Sequence, residues 1–159
     1  MLGGLLSREE CARCRQCCSF EGYSLWDTPL ITPKLREEIL SLRPLQEFVS
    51  REECSILKMQ QAEGGLYVCP LLDSERGCIL GDRKPFDCRI FPFRVMELEG
   101  RRVIALSPDC PVAAQRPMQA VMEKARELEE YIFAEADKHP EYVKPYRRGF
   151  VVVAVEEAK

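Results

Sequence analysis

The sequence lacks the features that mark several large functional classes. Its 159 residues include one His and one Trp, and no apolar run approaches the roughly 18 residues that a membrane span needs. The formal net charge is −3, without the basic excess of a nucleic-acid-binding face. Neither a phosphate-binding loop nor a Gly-x-Gly-x-x-Gly motif is present. We therefore expect no nucleic-acid partner and no membrane association.

The N-terminal residues also lack the pattern of a secretion signal. The stretch from Met1 to Ser7 has no basic segment and only a very short apolar part, and Arg8-Glu9-Glu10 follows directly. We therefore expect a cytoplasmic protein. In that compartment, numerous cysteines more often hold metal than form disulfides.

Cysteine is unusually frequent in this sequence, which contains nine cysteines. The first group, Cys11-x-x-Cys14-x-x-Cys17-Cys18, contains two overlapping Cys-x-x-Cys spacings. This tandem spacing is typical of the opening of bacterial ferredoxin runs, whereas a zinc site usually needs one Cys-x-x-Cys per half-site. The spacing favours an iron–sulfur cluster and leaves zinc open.

A second group lies further along, and its Cys-Pro dipeptides also resemble ferredoxin ligands. Cys54 falls outside both groups in a strand-like stretch, where packing is the favoured role. His139 precedes Pro140 at a helix end and is expected to be structural. The remaining eight cysteines suffice for two four-thiolate sites, and they are the candidate metal ligands: Cys11, Cys14, Cys17, Cys18, Cys69, Cys78, Cys88 and Cys110.

Cations and aromatic residues accompany the cysteines. The cations either lower thiol pKa values or are solvated surface charges; they are Arg13, Arg15, Arg76, Arg83, Lys84, Arg89 and Arg94. The aromatic residues are expected to cover a metal centre, with a substrate cleft as the alternative; they are Phe20, Tyr23 and Trp26 near the first group and Phe86, Phe91 and Phe93 near the second.

Local patterns predict a few helices and strands. A capping box at Ser7 and Glu10 starts a short helix, Thr32-Pro33 starts a second that Pro44 stops, and a third runs from about 116 to 138. Two hairpins are predicted, one pairing Cys54–Met59 with Leu66–Cys69 and one pairing Phe93–Leu98 with Arg102–Leu106. The final strand, Phe150–Val155, is apolar on both faces, which predicts an interior or sandwiched position.

Together these elements predict an α+β fold in one small domain. We expect a Cys-rich body over residues 1–112, with loops and short hairpins around a metal centre, and a C-terminal helix and strand over 113–159.

The cysteine pattern resembles a known family. The run from Cys11 to Cys18, then Cys69-Pro70-Leu71, Cys78, Pro85-Phe86-Asp87-Cys88-Arg89-Ile90-Phe91-Pro92 and Cys110, looks like the CxxCxxCC (YkgJ-like) family of zinc- or iron-chelating proteins, which includes flagellin N-methylase-like proteins. The resemblance covers about residues 8–112. Lys84 departs from it, standing where the family usually has Arg, and Arg15-Gln16 departs where the family commonly has Gly.

Two functions are open at this point. The resemblance implies a bound metal or iron–sulfur centre, without a settled reaction. The first hypothesis is a [4Fe–4S]-type protein with a redox or protein-modifying role that acts on a protein partner or substrate. The alternative is a zinc-binding structural or interaction module without catalysis. The sequence identifies no catalytic residue, so enzymatic activity rests on the resemblance alone.

Overall fold

Helices and short strands alternate along the chain in the computed structural model, which describes residues 2–22, 28–51, 54–73 and 75–157. In these ranges the α-helices are α1 (Arg8–Cys14), α2 (Pro33–Leu42), α3 (Phe86–Ile90) and α4 (Met118–Lys138). The strands are β1 (Ser19–Phe20), β2 (Leu30–Ile31), β3 (Phe48–Arg51), β4 (Cys54–Leu57), β5 (Gln60–Gln61), β6 (Tyr67–Val68), β7 (Leu72–Asp73), β8 (Gly77–Cys78), β9 (Phe93–Leu98), β10 (Arg101–Leu106), β11 (Lys144–Pro145) and β12 (Val151–Val155). The predicted α+β class is confirmed.

The chain forms two compact units. The first unit joins the N-terminal residues up to Cys14 with the chain from Ile90 onward, and the second unit is Arg15–Arg89. The C-terminal helix and strand therefore pack with the β9–β10 hairpin, which the sequence had placed in the Cys-rich body. None of the helices in the described ranges has the length and apolar character of a membrane span.

A four-stranded sheet in the order β11-β9-β10-β12 forms the centre of the first unit. The predicted β9–β10 hairpin is confirmed: Leu98 pairs with Arg101 across the two-residue turn Glu99-Gly100, both with positive φ. Positive φ at both turn positions matches the twist of a tight hairpin. The apolar face of helix α4 packs against this sheet. Its buried residues are Val121, Ala125, Leu128, Ile132, Phe133 and Ala136.

The prediction of an interior final strand was wrong. Among the described residues, strand β12 pairs with β10 alone and is an edge of this sheet. Val151 and Val155 are exposed, while Val153 is buried. Its valines reflect the β-propensity of branched side chains on a half-buried strand rather than burial of both faces.

A capping box and contacts with Arg116 hold helix α1 within the first unit. Ser7 N–H donates to Glu10 Oε2 at 2.9 Å and Glu10 N–H donates to Ser7 Oγ at 3.1 Å, which confirms the capping box. Arg116 then donates to the Leu5 carbonyl at 2.9 Å and forms an ion pair with Glu10. The helix that carries Cys11 and Cys14 is thus fixed at its N-terminal end.

The second unit consists of small sheets around one hydrophobic cluster. Its sheets have the orders β1-β6-β5, β2-β4-β3 and β7-β8. Helix α2 begins as predicted, with Thr32 Oγ1 accepting from Leu35 N–H at 3.4 Å and Pro33 in the first turn. The cluster buries Phe20, Ile31, Ile39, Leu57, Met59, Leu71 and Leu80, and Cys69 and Cys78 pack against it.

The predicted hairpin between Cys54–Met59 and Leu66–Cys69 was wrong. Strand β4 pairs with β2 and β3, while β6 pairs with β1 and β5. The predicted turn does form, at Glu63–Gly65, but it joins β6 to the short strand β5 instead. Two-residue strands carry little pairing signal in sequence, so tertiary context decides their partners.

Ile104 tests the core of the first unit. It is fully buried in β10, and truncation to alanine leaves a cavity, so Ile104→Ala should lower the free energy of unfolding by about 2–5 kcal/mol. Val151 is 49% exposed, and Val151→Ala should cost no more than about 0.5 kcal/mol. Urea denaturation followed by circular dichroism measures both changes. Equal losses would contradict this description of the sheet.

Candidate metal centre

The eight candidate ligands are distributed over both units. Cys11 and Cys14 lie on α1 and Cys110 follows β10, all in the first unit. The other five belong to the second unit: Cys17 and Cys18 in a 3-10 turn, Cys69 after β6, Cys78 in β8 and Cys88 on α3. None of these eight cysteines, all within the described ranges, forms a disulfide.

A backbone break divides the tandem motif. Helix α1 ends at Cys14, and Arg15 takes a left-handed conformation with φ 57° before the 3-10 turn Gln16–Cys18 begins. Left-handed backbone is uncommon for a residue with a side chain. The motif therefore does not run on as one helix, and its cysteines fall into different units.

Cys17, Cys69, Cys78 and Cys88 lie within electrostatic reach of one another. The pKa of Cys88 is well above its ordinary value, first because of burial and then because negative charge on the other three thiols repels a thiolate there. Burial, with Cys78 and Cys17 adding to it, raises the pKa of Cys69 to about 11. Burial and Cys17 likewise raise the pKa of Cys78. Repulsion of this kind acts between thiolates that share one buried region of the second unit.

Cys18 accompanies this group of four thiols. A hydrogen bond between the Cys18 and Cys17 thiols is the main reason that the pKa of Cys17 is raised, with burial second. The main chain ties the same segment to the next ligand, because Cys69 N–H donates to the Cys18 carbonyl at 2.9 Å. The paired strands β1 and β6 extend this link, so Cys17 and Cys69 are held on neighbouring segments.

Backbone N–H groups point at several of the sulfurs. The N–H of Leu71 hydrogen-bonds to Cys69, and the N–H groups of Leu80 and Gly81 hydrogen-bond to Cys78; each lowers the thiol's pKa. These donors stand two or three residues after the cysteine. Hydrogen bonds to the charged form favour a thiolate, and such bonds to sulfur orient metal ligands and tune the metal.

A similar hydrogen bond from a backbone N–H to sulfur occurs at Cys110 in the first unit. Ala113 N–H donates to the buried Cys110 sulfur at 3.4 Å, three residues on. A Pro follows both Cys69 and Cys110, but Cys78 accepts the same kind of amide hydrogen bond with Ile79 in that position.

Two cations act on the four thiols of the second unit. The charge of Lys84 lowers the pKa of both Cys17 and Cys78, and that of Arg43 lowers the pKa of Cys69. Lys84 was among the predicted cations, whereas sequence analysis missed Arg43 because it lies 26 positions before Cys69. Arg83 instead lies 3.7 Å from Glu38.

Asp87 is a further residue that the sequence did not single out. It is buried beside Cys88, its Oδ2 accepts from Leu30 N–H at 3.2 Å, and its charge raises the pKa of Cys88. A carboxylate in α3 thereby anchors β2. The only sequence signal for it was a charged residue inside an apolar run.

Several of the aromatic residues that the sequence singled out are buried. Phe20 lies in the same hydrophobic cluster against which Cys69 and Cys78 pack. Phe86 and Phe93 are also buried. Tyr23 and Trp26 lie outside the described residues. His139 caps the end of α4 and packs on Tyr142 at 5.1 Å between ring centroids, and Cys54 begins β4.

The donor chemistry fits a thiolate-bound metal or cluster. Within the described ranges, no three His, Cys, Asp or Glu side chains stand in metal-ligand geometry. Thiolates are nevertheless the ligands that zinc and iron–sulfur clusters use. Four thiolates around Zn²⁺ or a [4Fe–4S]²⁺ core would leave a charge of −2, which the charges of Lys84 and Arg43 would oppose and that of Asp87 would increase.

Comparison with known proteins adds no relative. The chain matches no protein-family model, and no curated protein and no solved structure is significantly similar to it. The resemblance to the CxxCxxCC family therefore stays an expectation from the sequence.

The raised thiol pKa values predict how the metal-free chain responds to pH. Above about pH 8.5 the unfolded chain loses thiol protons that the folded chain keeps, up to about 11 at Cys69. The unfolded state then binds fewer protons, so the free energy of unfolding should fall as pH rises from 8.5 to 10.5. Denaturant unfolding of reduced, metal-free protein measures this slope.

Cys69→Ser provides the comparison for that slope. Removing one thiol with a raised pKa should flatten the fall in stability relative to the parent chain. A free energy of unfolding that stays constant up to pH 10.5 in the parent would contradict the buried, protonated thiols described above.

Proposed function

We propose that this protein is a cysteine-ligated metalloprotein whose centre is held by Cys17, Cys69, Cys78 and Cys88. The observation that carries this proposal is that these four thiols interact electrostatically, so that a thiolate at one of them disfavours ionisation of the others. Thiols that only fill space in a core have no need to lie next to one another. A bound metal cation would attract all four thiolates and so offset the repulsion between them.

The centre that we favour is a [4Fe–4S]-type cluster with a redox or protein-modifying role. Hydrogen bonds to the sulfurs and a dry aromatic cover are the features that set the potential of such a cluster. Leu71, Leu80 and Gly81 supply the N–H donors, and Phe20 supplies part of the cover. When bound, the cluster would supply one-electron chemistry, and a protein partner or substrate would use it.

A zinc-binding structural module is the second candidate, and the architecture of the second unit supports it. Its strands are two to four residues long. Strands this short contribute modest stability, so a metal that ties Cys17 to three distant positions of the chain would supply folding energy directly.

Metal analysis tests the proposal. The protein is purified without oxygen, and iron, zinc and acid-labile sulfide are measured on the same sample, before and after anaerobic reconstitution. Iron with matching sulfide supports the cluster. Zinc without sulfide supports the structural module. A chain that retains neither metal, even after reconstitution, would overturn both.

Single substitutions test the ligand set. Cys69→Ser and Cys88→Ser should each lower metal occupancy at least roughly tenfold, because a three-thiolate remnant holds the ion or cluster poorly. Cys54→Ser is the matched control and should keep the parental metal content. If Cys69→Ser and Cys88→Ser fold normally by circular dichroism with full metal content, the ligand assignment is wrong.

A further inference from the structure

The four-stranded sheet of the first unit has two edges, β11 and β12, and they differ in what they offer a further strand. Strand β11 is two residues long, and the N–H of Tyr146, just after it, donates to the Glu97 carbonyl of β9 at 3.0 Å. Because successive residues of a strand direct their main-chain groups to opposite sides, Pro145 occupies the outward-facing position, where it has no N–H to donate. The edge at β11 is therefore poorly suited to bind a further strand.

Strand β12, the other edge, is five residues long and, within the described ranges, pairs with β10 alone. Beyond its end, Glu156 N–H donates to the Arg102 carbonyl of β10 at 2.9 Å, so the main-chain N–H and C=O of Val155 point away from β10. The Val155 side chain is 37% exposed and that of Val151 is 49% exposed. This edge thus presents main-chain groups and apolar side chains to which a further strand can bind.

The charges that flank β12 have opposite signs. Arg148 precedes the strand and Glu157 follows it, and both are exposed. Two copies of β12 that pair antiparallel bring the Arg148 end of each beside the Glu157 end of the other, whereas parallel copies bring like charges together. An edge that is protected against pairing typically carries charges along the strand, and β12 has none from Val151 to Val155. The pattern favours a second copy of this chain in the antiparallel orientation.

We propose that β12 is a dimerisation edge, on which β12 of a second copy pairs antiparallel about a two-fold axis and joins the two four-stranded sheets. This inference is independent of the proposed metal centre, because the contact involves no cysteine. Since the edge at β11 is poorly suited to a further strand, addition stops at two copies. A bulge at Val153 shortens the regular part of the strand and the contact is small, so the Kd should lie in the micromolar range.

Charge reversal tests the pairing between copies. Arg148→Glu and Glu157→Arg should each weaken dimerisation about tenfold, because each places like charges together at both ends of the two-fold contact. The double variant with both substitutions should restore the parental Kd to within about twofold. Positions 148 and 157 stand at opposite ends of one strand, so this rescue requires contact between chains. Arg126→Glu, at an exposed position of α4, is the matched control and should leave the Kd unchanged.

Removal of one outward N–H tests the main-chain part of the contact. Val155→Pro deletes a donor that faces away from β10, so it should abolish dimerisation and leave the β10–β12 pairing intact. Val155→Thr keeps the N–H and a β-branched side chain, and it should retain the dimer. Sedimentation velocity between roughly 5 and 200 µM protein measures the Kd. A reducing agent excludes disulfides between copies, and circular dichroism confirms that each variant is folded.

A chain that stays monomeric over this concentration range would overturn the inference. A dimer that Val155→Pro and both charge reversals leave unchanged would form through another surface and would overturn it as well. If Val155→Pro fails to fold, the charge-reversal series decides alone, and a double variant that does not recover would contradict the proposal. Metal content measured on the same samples separates this outcome from that of the metal centre, because every variant keeps all nine cysteines.

Discussion

The electrostatic cost of ionising four neighbouring buried thiols is the main constraint on the second unit. Cys17, Cys69, Cys78 and Cys88 are stable together while they are protonated, because ionising one of them opposes ionisation of the rest. Protons or a bound cation must therefore neutralise the group. The segments that bring these thiols together have few long-range strand hydrogen bonds, so the state of the sulfurs bears directly on how firmly those segments are held.

Local chemistry around the sulfurs favours the ionised state, against the effect of burial. Amide N–H groups of Leu71, Leu80 and Gly81 and the charges of Lys84 and Arg43 all lower thiol pKa values. A core that used cysteine as a small hydrophobe would need none of these groups. Burial favours the protonated thiol, whereas the N–H donors and cations favour the thiolate. Both effects are expected for a cysteine that gives up its proton when it binds a metal.

Features encoded by near neighbours could be predicted from the sequence, and long-range ones could not. The capping box at Ser7, the helix start at Thr32 and the tight turn at Gly100 each depend on residues within a few positions, and all three form. The partners of β4 and the edge position of β12 depend on contacts across the sheet. Spacing likewise indicated candidate ligands, but it could not show that Arg15 would break the tandem motif between two units.

The two candidate metal centres, zinc and a [4Fe–4S] cluster, make the same electrostatic demand on the residues around them. Tetrathiolate zinc and a tetrathiolate [4Fe–4S]²⁺ cluster carry the same net charge of −2, so Lys84 and Arg43 would stabilise either centre. Amide donors to sulfur likewise serve both, by orienting ligands in one case and by setting the potential in the other. If the proposed centre forms, these cations would therefore act in the same way on either metal, because their effect depends on the charge of the four thiolates.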